Sequence, residues 1–260
     1  MAHKFFTVMV VGDNPESLMS KYGIGLQVPK YMKYKYLDAQ QMKDNAIKIL
    51  EKIISEPKQF QLTGFQLDVL KEKLQQTKNM TSFDYYSTLT QGLEYDDEGN
   101  AWCDRNPDGK WKTYQIGRNL SIPLVLKNNE EAYQARKGDV EWASLHMTNQ
   151  ELYQTVWALI KEGKKPSNEI EAQLFENMKD KDNYFSNFKT VEDYVIHNCA
   201  YWNYAFLDAN GWYDIDSSGE SSSDWIKNYF KRFIEPLSDD TLITIYECSR
   251  DQETQDEDIF

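Results

Sequence analysis

Two apolar segments rich in β-branched residues lie near opposite ends of the chain. "FFTVMVV" covers residues 5–11, and "TLITIYEC" covers residues 241–248. Short apolar runs of this composition are typical of buried β-strands. Because both need a covered environment, we predict that they lie side by side in the centre of an antiparallel or mixed sheet, with helices packed over it.

Helical spacing of apolar residues dominates much of the chain between these two strands. The alternating segment "YMKYKYLD" predicts a further strand, and Asp38 is placed to cap the helix that follows it. Apolar positions three and four residues apart then predict helices. These helices lie within residues 38–56, 64–78, 82–90, 148–163, 167–178 and 221–233. Helices and strands that are grouped rather than strictly alternating indicate the α+β class.

Turn-forming and aromatic residues mark two other parts of the chain. Residues 92–126 contain three short strand-like runs separated by polar turns, which predicts a β-rich insertion or an extension of the sheet. "YWNYAFLDANGWYDID" predicts a hairpin with Asn210-Gly211 in its turn. Since the sequence shows no repeat and no long linker, we predict a single domain over residues 1–248 and an acidic, disordered tail over 249–260.

The charge balance argues against some classes of function. Forty-two acidic residues against 29 basic ones give a net charge of −13, which opposes binding to nucleic acid or to anionic membranes. Two interpretations stay open. The charge keeps a chain rich in Tyr, Trp and Phe in solution, or it forms an acidic surface for a basic partner such as a nucleic-acid-binding protein.

Cysteine usage and hydropathy indicate the compartment. The cysteines are Cys103, Cys199 and Cys248, an odd number at wide spacing and without a Cys-x-x-Cys pair. This pattern favours a reducing cytoplasm and requires neither a disulfide nor a metal. Apolar runs fall far short of the ~20 residues that span a bilayer. We expect a soluble cytoplasmic protein that does not bind membranes.

The sequence "LHMTNQE" has two possible interpretations. His146 and Thr148 have the His-x-Thr spacing of some phosphoesterases, but a second His-x-Ser or His-x-Thr, needed because one imidazole acts as base and the other as acid, is missing. Thr148 and Glu151 also have the spacing of a capping box at a helix start. We predict the cap, so that Thr148→Ala costs about 1 kcal/mol of stability.

Other candidate sites are weaker. His197 and Cys199 suggest a base and a nucleophile, but on a helix side chains two residues apart diverge. Residues 214–219 match the first half of a calcium-binding EF-hand loop, yet Trp225 stands where a bidentate Glu is required. We predict a solvated turn there. His3 is the remaining histidine. Since no zinc, P-loop or nucleophile-elbow motif is present, we predict no metal and no cofactor.

Three segments resemble parts of a diffuse set of uncharacterised proteins encoded by bacteriophages and mobile elements. They are "NPDGKWKTYQIG" at 106–117, "YAFLDANGWYD" at 204–214 and "FIEPLSDDTLITIYEC" at 233–248. The chain departs from that set after Gly117, where Arg118-Asn119-Leu120 replaces the more usual Gly-Arg-Trp. The resemblance implies a phage origin and an accessory role, with inhibition of host defence as the leading candidate. It assigns no catalytic residue.

We therefore predict a non-enzymatic accessory protein that binds a host protein, such as a basic nucleic-acid-binding defence factor, in the cytoplasm of the host cell. Acidic and aromatic side chains are the expected contact residues. They are Glu94, Asp96, Asp97, Glu98, Trp102, Trp111, Trp212, Asp214 and Asp216. The alternatives are an enzyme acting on nucleotides or nucleotide-derived signals, in which the fold brings histidines together, and a structural component of the virion.

Overall fold

The computed structural model describes residues 5–57, 64–118, 120–163, 165–177, 188 and 190–250. These residues group into two compact units. The first, here the central-sheet unit, consists of residues 5–22 and 111–250, and the second, the inserted unit, consists of residues 23–110. The single domain over 1–248 stays a prediction. Residues 251–260 of the predicted acidic tail lie outside the described residues.

The central-sheet unit is built on a mixed, six-stranded sheet. Its strands are β1 (Phe5–Val11), β5 (Thr113–Ile116), β8 (Gln134–Arg136), β9 (Ala205–Asp208), β10 (Gly211–Asp214) and β11 (Leu242–Ser249). The order is β10-β9-β1-β11-β5, and β8 also pairs with β11. β1 lies between β11, which is antiparallel to it, and β9, which is parallel to it. The prediction that the terminal strands are neighbours in the sheet is confirmed, and the fold class is α+β.

Alternation along β1 and β11 supplies both faces of this sheet with apolar side chains. Met9 and Val11 face one side with Ile243 and Ile245, where they pack with Trp225 and other residues of the segment 222–234. On the other side, Val8 and Val10 join a second cluster that contains Met19. Because both faces are covered, the two strands show the nearly continuous apolar runs from which they were predicted.

The helices of the central-sheet unit are mostly short. They are α1 (Pro15–Ser20), α5 (Gln150–Glu162), α6 (Glu169–Asn177), α7 (Val191–Cys199) and α8 (Ser222–Tyr229). α8 continues into a π-helical turn, Phe230–Ile234, so that the predicted helix over 221–233 is found with altered winding at its end. Met178, the last residue of the predicted helix 167–178, lies outside the described residues.

The inserted unit combines a three-stranded antiparallel sheet with three helices. The elements are β2 (Gln27–Tyr34), α2 (Ala39–Ser55), α3 (Gly64–Asn79), α4 (Ser82–Leu89), β3 (Glu94–Tyr95) and β4 (Ala101–Arg105). β4 lies between β2 and β3. The strand predicted over 31–38 ends at Tyr34, because Tyr36–Asp38 form a short 3-10 turn. Asp38 precedes α2 as predicted, but its side chain makes no capping hydrogen bond.

Residues 92–126 contain strands, as predicted, but these strands do not belong together. β3 and β4 pair within the inserted unit, whereas β5 adds to the central sheet beside β11. β6 (Leu124–Val125) pairs with β7 (Glu131–Ala132) in a small separate ribbon. Turn spacing predicted each strand locally, but it carries no information about which partner a strand will find. Within this stretch β5 is thus an extension of the central sheet, as one of the two predicted alternatives has it, whereas β3, β4 and β6 belong to other sheets.

The hairpin prediction is confirmed, and its turn lies one residue earlier than the predicted Asn210-Gly211. β9 and β10 are antiparallel, with Asp208 opposite Gly211, so that Ala209 and Asn210 form the two-residue turn. Asp208 Oδ1 accepts the backbone N–H groups of Asn210 and Gly211, at 2.8 and 3.1 Å. Gly211 has φ of +142°, a conformation that L side chains rarely adopt, which explains the glycine at this position.

The capping box predicted at Thr148 and Glu151 is wrong. α5 begins at Gln150, and the residue before it, Asn149, has a left-handed backbone (φ 58°) and no side-chain capping bond. Met147 also has a positive φ, and its N–H donates to Cys199 O at 2.6 Å. A tertiary hydrogen bond to the end of α7 thus sets the backbone here. The sequence showed the spacing of a cap without the extended backbone that a cap requires.

Thr81 caps α4 instead. Its Oγ1 accepts the Asp84 N–H at 3.1 Å, and the Asp84 carboxylate accepts the Thr81 N–H at 3.3 Å, which completes a capping box. We expect Thr81→Ala to lower the free energy of unfolding by about 1 kcal/mol. Thr148→Ala is the matched control. We expect it to lower the free energy of unfolding by less, because Thr148 does not cap a helix. Urea denaturation of the two variants measures the difference, and equal losses would contradict this assignment of the cap.

Candidate functional site

His146 is part of the packing between α5, α7 and the π-helical turn. Its ring stacks on Phe230, with centroids 4.0 Å apart and planes at 11°. Its Nδ1 accepts the backbone N–H of Tyr201 at 3.2 Å. Burial lowers the pKa of the imidazole from its ordinary value, so that the neutral form is favoured. One face of the His146 ring and its Nδ1 are therefore both engaged in structural contacts.

His197 lies elsewhere and contacts different residues. It is on α7, its ring centroid is 5.1 Å from that of Phe188, and burial lowers its pKa. Cys199 is on the same helix two residues later, so the two side chains diverge as expected. Burial raises the pKa of the Cys199 thiol to about 11, which is opposite to the shift that activates a nucleophile. His3 lies outside the described residues.

The buried histidines give the fold a pH dependence. Because folding lowers the pKa of His146 and His197 from the ordinary value of 6.5, the unfolded chain binds more protons as the pH falls through that value. The contribution of the two neutral histidines to the free energy of unfolding is fully present above the unfolded pKa. It is lost as the pH falls from there towards the lower pKa of the folded state. We expect His146→Gln, which keeps an acceptor for the Tyr201 N–H, to lose less stability than the native chain between pH 7.5 and 5.5.

Urea unfolding at both pH values measures this difference, and the carboxylates affect both proteins alike. An identical pH dependence in the variant and the native chain would contradict the burial of a neutral His146.

The loop that resembles half of an EF-hand is held together by its own carboxylates. Asp214 is buried, which corrects the predicted solvated turn. Its Oδ1 accepts the Ser217 N–H and its Oδ2 accepts the Trp212 indole N–H, both at 2.7 Å. Asp216 accepts the Tyr204 hydroxyl, and its Oδ2 lies 3.9 Å from the Arg250 guanidinium. Both carboxylates therefore fix the connection from β10 to α8.

Two tryptophans that were predicted to contact a partner pack inside the central-sheet unit. Trp111 is buried, and its ring centroid lies 4.3 Å from that of Tyr114. Trp212 is half-buried, and its ring lies 5.2 Å from that of Tyr22. These rings pack on the face of the central sheet that carries Val8 and Val10, and they leave little surface for a partner.

Asp96 stabilises the acidic turn of the inserted unit, residues 94–98. The Asp96 carboxylate accepts the Trp102 indole N–H at 2.9 Å, the Asn100 side-chain amide at 3.0 Å and two backbone N–H groups. The bond from Trp102, followed by those from Asn100, holds the pKa of this carboxyl below its usual value. Glu94 forms an exposed ion pair with Lys30 at 2.5 Å. Asp97 and Glu98 are exposed at the tip of the turn.

An exposed apolar surface adjoins this turn. Leu37 is 92% exposed and Phe83 is 59% exposed, and Tyr36, which precedes Leu37, is also exposed. The Tyr36 and Phe83 rings meet edge to face at 6.3 Å. Gly99 packs against the Tyr36 side chain, since a Cβ placed there would lie 3.6 Å from Tyr36 Cβ. Tyr36, Leu37, Phe83, Asp97 and Glu98 together are here called the Tyr36 face.

The Tyr36 face was not found from the sequence. Tyr36 was placed on a strand face, and Leu37 and Phe83 were not singled out. The available signal was Leu37 itself, an apolar residue between Tyr36 and Asp38 that precedes α2 and falls outside the apolar stripe of that helix. Glu94, Asp96, Asp97, Glu98 and Trp102 were predicted contact residues, and the structure brings them together around one turn. Trp111, Trp212, Asp214 and Asp216 belong to the other unit.

The negative charge is distributed unequally between the units. Residues 23–110 contain 13 of the 42 acidic residues and 12 of the 29 basic ones, so the inserted unit is close to neutral. The net charge of −13 therefore comes mainly from the rest of the chain. Acidity at the Tyr36 face is local, supplied by Asp97 and Glu98.

Comparison of the chain with protein-family models, with curated proteins and with solved structures gave no match. Within the described part of the chain, no cluster of three or more His, Cys, Asp or Glu residues is placed to hold a metal ion. Across the same residues, no helix has the length and apolar character needed to cross a membrane. The candidate site is thus defined by the geometry of the Tyr36 face.

Proposed function

We propose that this chain is an accessory protein that acts by binding another protein, and that the Tyr36 face is its contact surface. The observation that carries the proposal is the nearly complete exposure of Leu37 beside the exposed aromatic rings of Tyr36 and Phe83. Exposed apolar groups with a polar rim are typical of protein interaction sites. Aromatic side chains of this kind supply much of the binding free energy in measured interfaces.

The rigid setting of these side chains supports the same proposal. The Tyr36 N–H donates to Asn100 Oδ1 at 3.2 Å, and its ring packs against Tyr86, which is buried. The Tyr86 hydroxyl in turn donates to Gly99 O at 2.9 Å. A surface that is ordered before binding loses less conformational entropy when it meets a partner.

The partner we propose is a basic host protein. Asp97 and Glu98 place two exposed carboxylates beside the apolar centre, where they attract a partner with Lys or Arg around an apolar contact. The resemblance of three segments to phage and mobile-element proteins supports a host defence factor as that partner, in the cytoplasm of the host cell. For the alternative of a nucleotide-directed enzyme, the two described histidines offer no shared site.

Phage challenge of bacteria that carry defined defence systems tests this function. We expect the native chain to restore plaque formation against at least one system, and Leu37→Glu to abolish that restoration. Ile170→Glu is the matched control, because Ile170 is 63% exposed on α6, away from the Tyr36 face in sequence and in unit. Equal restoration by Leu37→Glu and the native chain would contradict the proposed surface, and no restoration against any system would contradict the anti-defence role.

A further inference from the structure

The central-sheet unit contains a cavity that the proposed function does not use. It has a volume of about 240 Å³ and is lined by the amino-terminal part of β1, by the segment that carries Leu120 and Ile122, and by residues 202–204. We propose that this cavity binds a small neutral compound that has an apolar body and one carbonyl oxygen, with the side-chain amide of Asn203 as the donor to that oxygen.

The cavity lies where two neighbouring strands of the central sheet stop pairing. Val8–Val10 of β1 pair in parallel with β9. Phe5–Thr7 continue to pair with β11, but they do not pair with residues 202–204, which precede β9. The cavity is lined from both sides of this gap, so that one edge of β1 borders it.

The hydrogen-bond pattern of β1 turns backbone groups towards this gap. The Gly12 N–H donates to Leu242 O on β11, and alternation along an antiparallel pair then directs the backbone groups of Thr7 away from β11. In a continued ladder Asn203 O would accept the Thr7 N–H, but it accepts the Trp225 indole N–H at 3.0 Å instead. The edge of β1 thus adds polar backbone to a wall that is otherwise mostly apolar.

Asn203 carries a hydrogen-bond donor that the protein leaves unused. The residue is only 3% exposed, and among the described residues its Nδ2 has no hydrogen-bond partner. Burial raises the pKa of the nearby Tyr201 hydroxyl and the Asn203 amide opposes that rise, yet this hydroxyl also makes no hydrogen bond within the same part of the chain. Because a buried donor without an acceptor is costly, a ligand oxygen bound here stabilises the wall.

The charges around the cavity favour a neutral ligand. Arg250 lies over the rings of Phe6 and Tyr204, at 4.8 and 5.4 Å from their centroids, and both rings line the cavity. Its positive charge disfavours a cation. The buried Glu247 carboxylate accepts the backbone N–H of Leu120, another lining residue, at 2.8 Å and disfavours an anion. A ligand of either charge therefore meets repulsion from one side and also loses its hydration.

The remaining walls fit the apolar body of such a ligand. Phe5, Leu120 and Ile122 are exposed apolar lining residues, and the Trp202 indole is half-buried. Aromatic side chains favour offset or edge-to-face contact with another ring. Because a cavity of ~150 Å³ holds benzene, the larger volume fits a ring with about three further non-hydrogen atoms. Small aromatic ketones combine this size with a single acceptor oxygen.

Four compounds with the same number of non-hydrogen atoms test the proposal on the native chain. They are acetophenone, α-methylstyrene, which replaces the carbonyl oxygen with a methylene group, benzoate and 1-phenylethylammonium. We expect acetophenone to bind with a dissociation constant on the order of 1 mM and to raise the melting temperature. We expect α-methylstyrene to bind about 5-fold more weakly, the effect of one hydrogen bond, and both ions at least ~10-fold more weakly. The chemical shift of the Trp202 indole N–H in NMR spectra locates the binding.

Two variants connect this binding to the cavity. Asn203→Leu removes the amide donor at nearly constant volume, and we expect it to bind acetophenone and α-methylstyrene equally. Ile122→Trp fills the cavity from an exposed position, and we expect it to abolish the binding of both compounds. Ile170→Trp is the matched control at an exposed position of α6 that does not line the cavity, and we expect it to leave binding unchanged.

Several results would overturn the proposal. On the native chain these are the absence of acetophenone binding, equal binding of acetophenone and α-methylstyrene, and binding of either ion as tight as that of acetophenone. A retained preference for acetophenone in Asn203→Leu would also overturn it. Since the four compounds are compared on the native chain, that comparison stands even if Asn203→Leu fails to fold.

This inference does not depend on the Tyr36 face, which belongs to the other unit. Loss of host protection by Leu37→Glu and loss of acetophenone binding by Ile122→Trp are separate measurements, so that either proposal can fail alone.

Discussion

Trp225→Ala is expected to lower the free energy of unfolding of the central-sheet unit by about 3–5 kcal/mol. Trp225 is 1% exposed and packs against Tyr229 and Phe233, with ring centroids at 5.8 and 5.4 Å. Its indole N–H also donates to Asn203 O at 3.0 Å in a buried position. The substitution therefore leaves a large cavity and an unsatisfied carbonyl, and urea denaturation followed by circular dichroism measures the loss.

Trp225→Phe separates these two effects. It keeps most of the ring contact and removes the indole donor, so we expect a loss of about 1–3 kcal/mol, the usual cost of one unsatisfied buried acceptor. If Trp225→Ala were no more destabilising than Trp225→Phe, the packing of α8 on the central sheet would be wrongly described.

Leu37→Glu is expected to weaken binding of the partner protein by at least ~30-fold, which corresponds to the ~2 kcal/mol of a hot-spot residue. Leu37 is 92% exposed, so the substitution removes no packing inside the unit, and we expect the free energy of unfolding to change by no more than about 0.5 kcal/mol. The dissociation constant for the partner protein, measured by calorimetry or by surface binding, checks the expected weakening of binding.

Two comparisons sharpen this prediction. Asp97→Asn with Glu98→Gln is expected to weaken binding mainly at low salt, because exposed charge pairs are screened as ionic strength rises. Ile170→Glu adds the same charge to an exposed apolar position on α6 and is expected to leave the dissociation constant unchanged. Equal weakening by Leu37→Glu and Ile170→Glu would show that added charge, rather than the Tyr36 face, is responsible.

The sequence predicted those elements whose structure depends on local patterns. β1 and β11 have continuous apolar runs because both faces of the central sheet are covered, and such runs are visible without a structure. The β9–β10 hairpin has its turn at Asn210 because Asp208 and Gly211 stabilise it locally. In each case, the pattern that predicts the element lies within residues that are neighbours in the sequence.

Two local conformations that depend on distant or unexpected partners were predicted incorrectly. At Met147 a hydrogen bond to Cys199, 52 positions later, accompanies a positive φ, so the capping box could not be judged from Thr148 and Glu151 alone. Asp214 was expected to be solvated, although a Trp212 indole and a Ser217 amide satisfy it in a buried position. The EF-hand-like spacing of residues 214–219 therefore arises from side chains that stabilise a turn.

The candidate contact surface could be predicted only in part. The carboxylates of the turn at 94–98 were identified, since acidic residues clustered near glycine are visible in the sequence. Exposure of Leu37 and Phe83 was not visible, because apolar residues next to helices are normally assigned to the core. The pairing of Tyr36 with Phe83 joins residues on either side of α2 and α3 and depends on how that unit folds.

Site-specific photo-crosslinking in phage-challenged bacteria tests the central claim most directly. A photoreactive phenylalanine analogue is placed at position 37 in one chain and at position 170 in a matched chain, and the crosslinked host proteins are identified by mass spectrometry. The proposed function predicts one defined host protein crosslinked from position 37, its loss on adding Phe83→Glu, and its absence from position 170. The same protein crosslinked equally from both positions, or none from position 37, would contradict it.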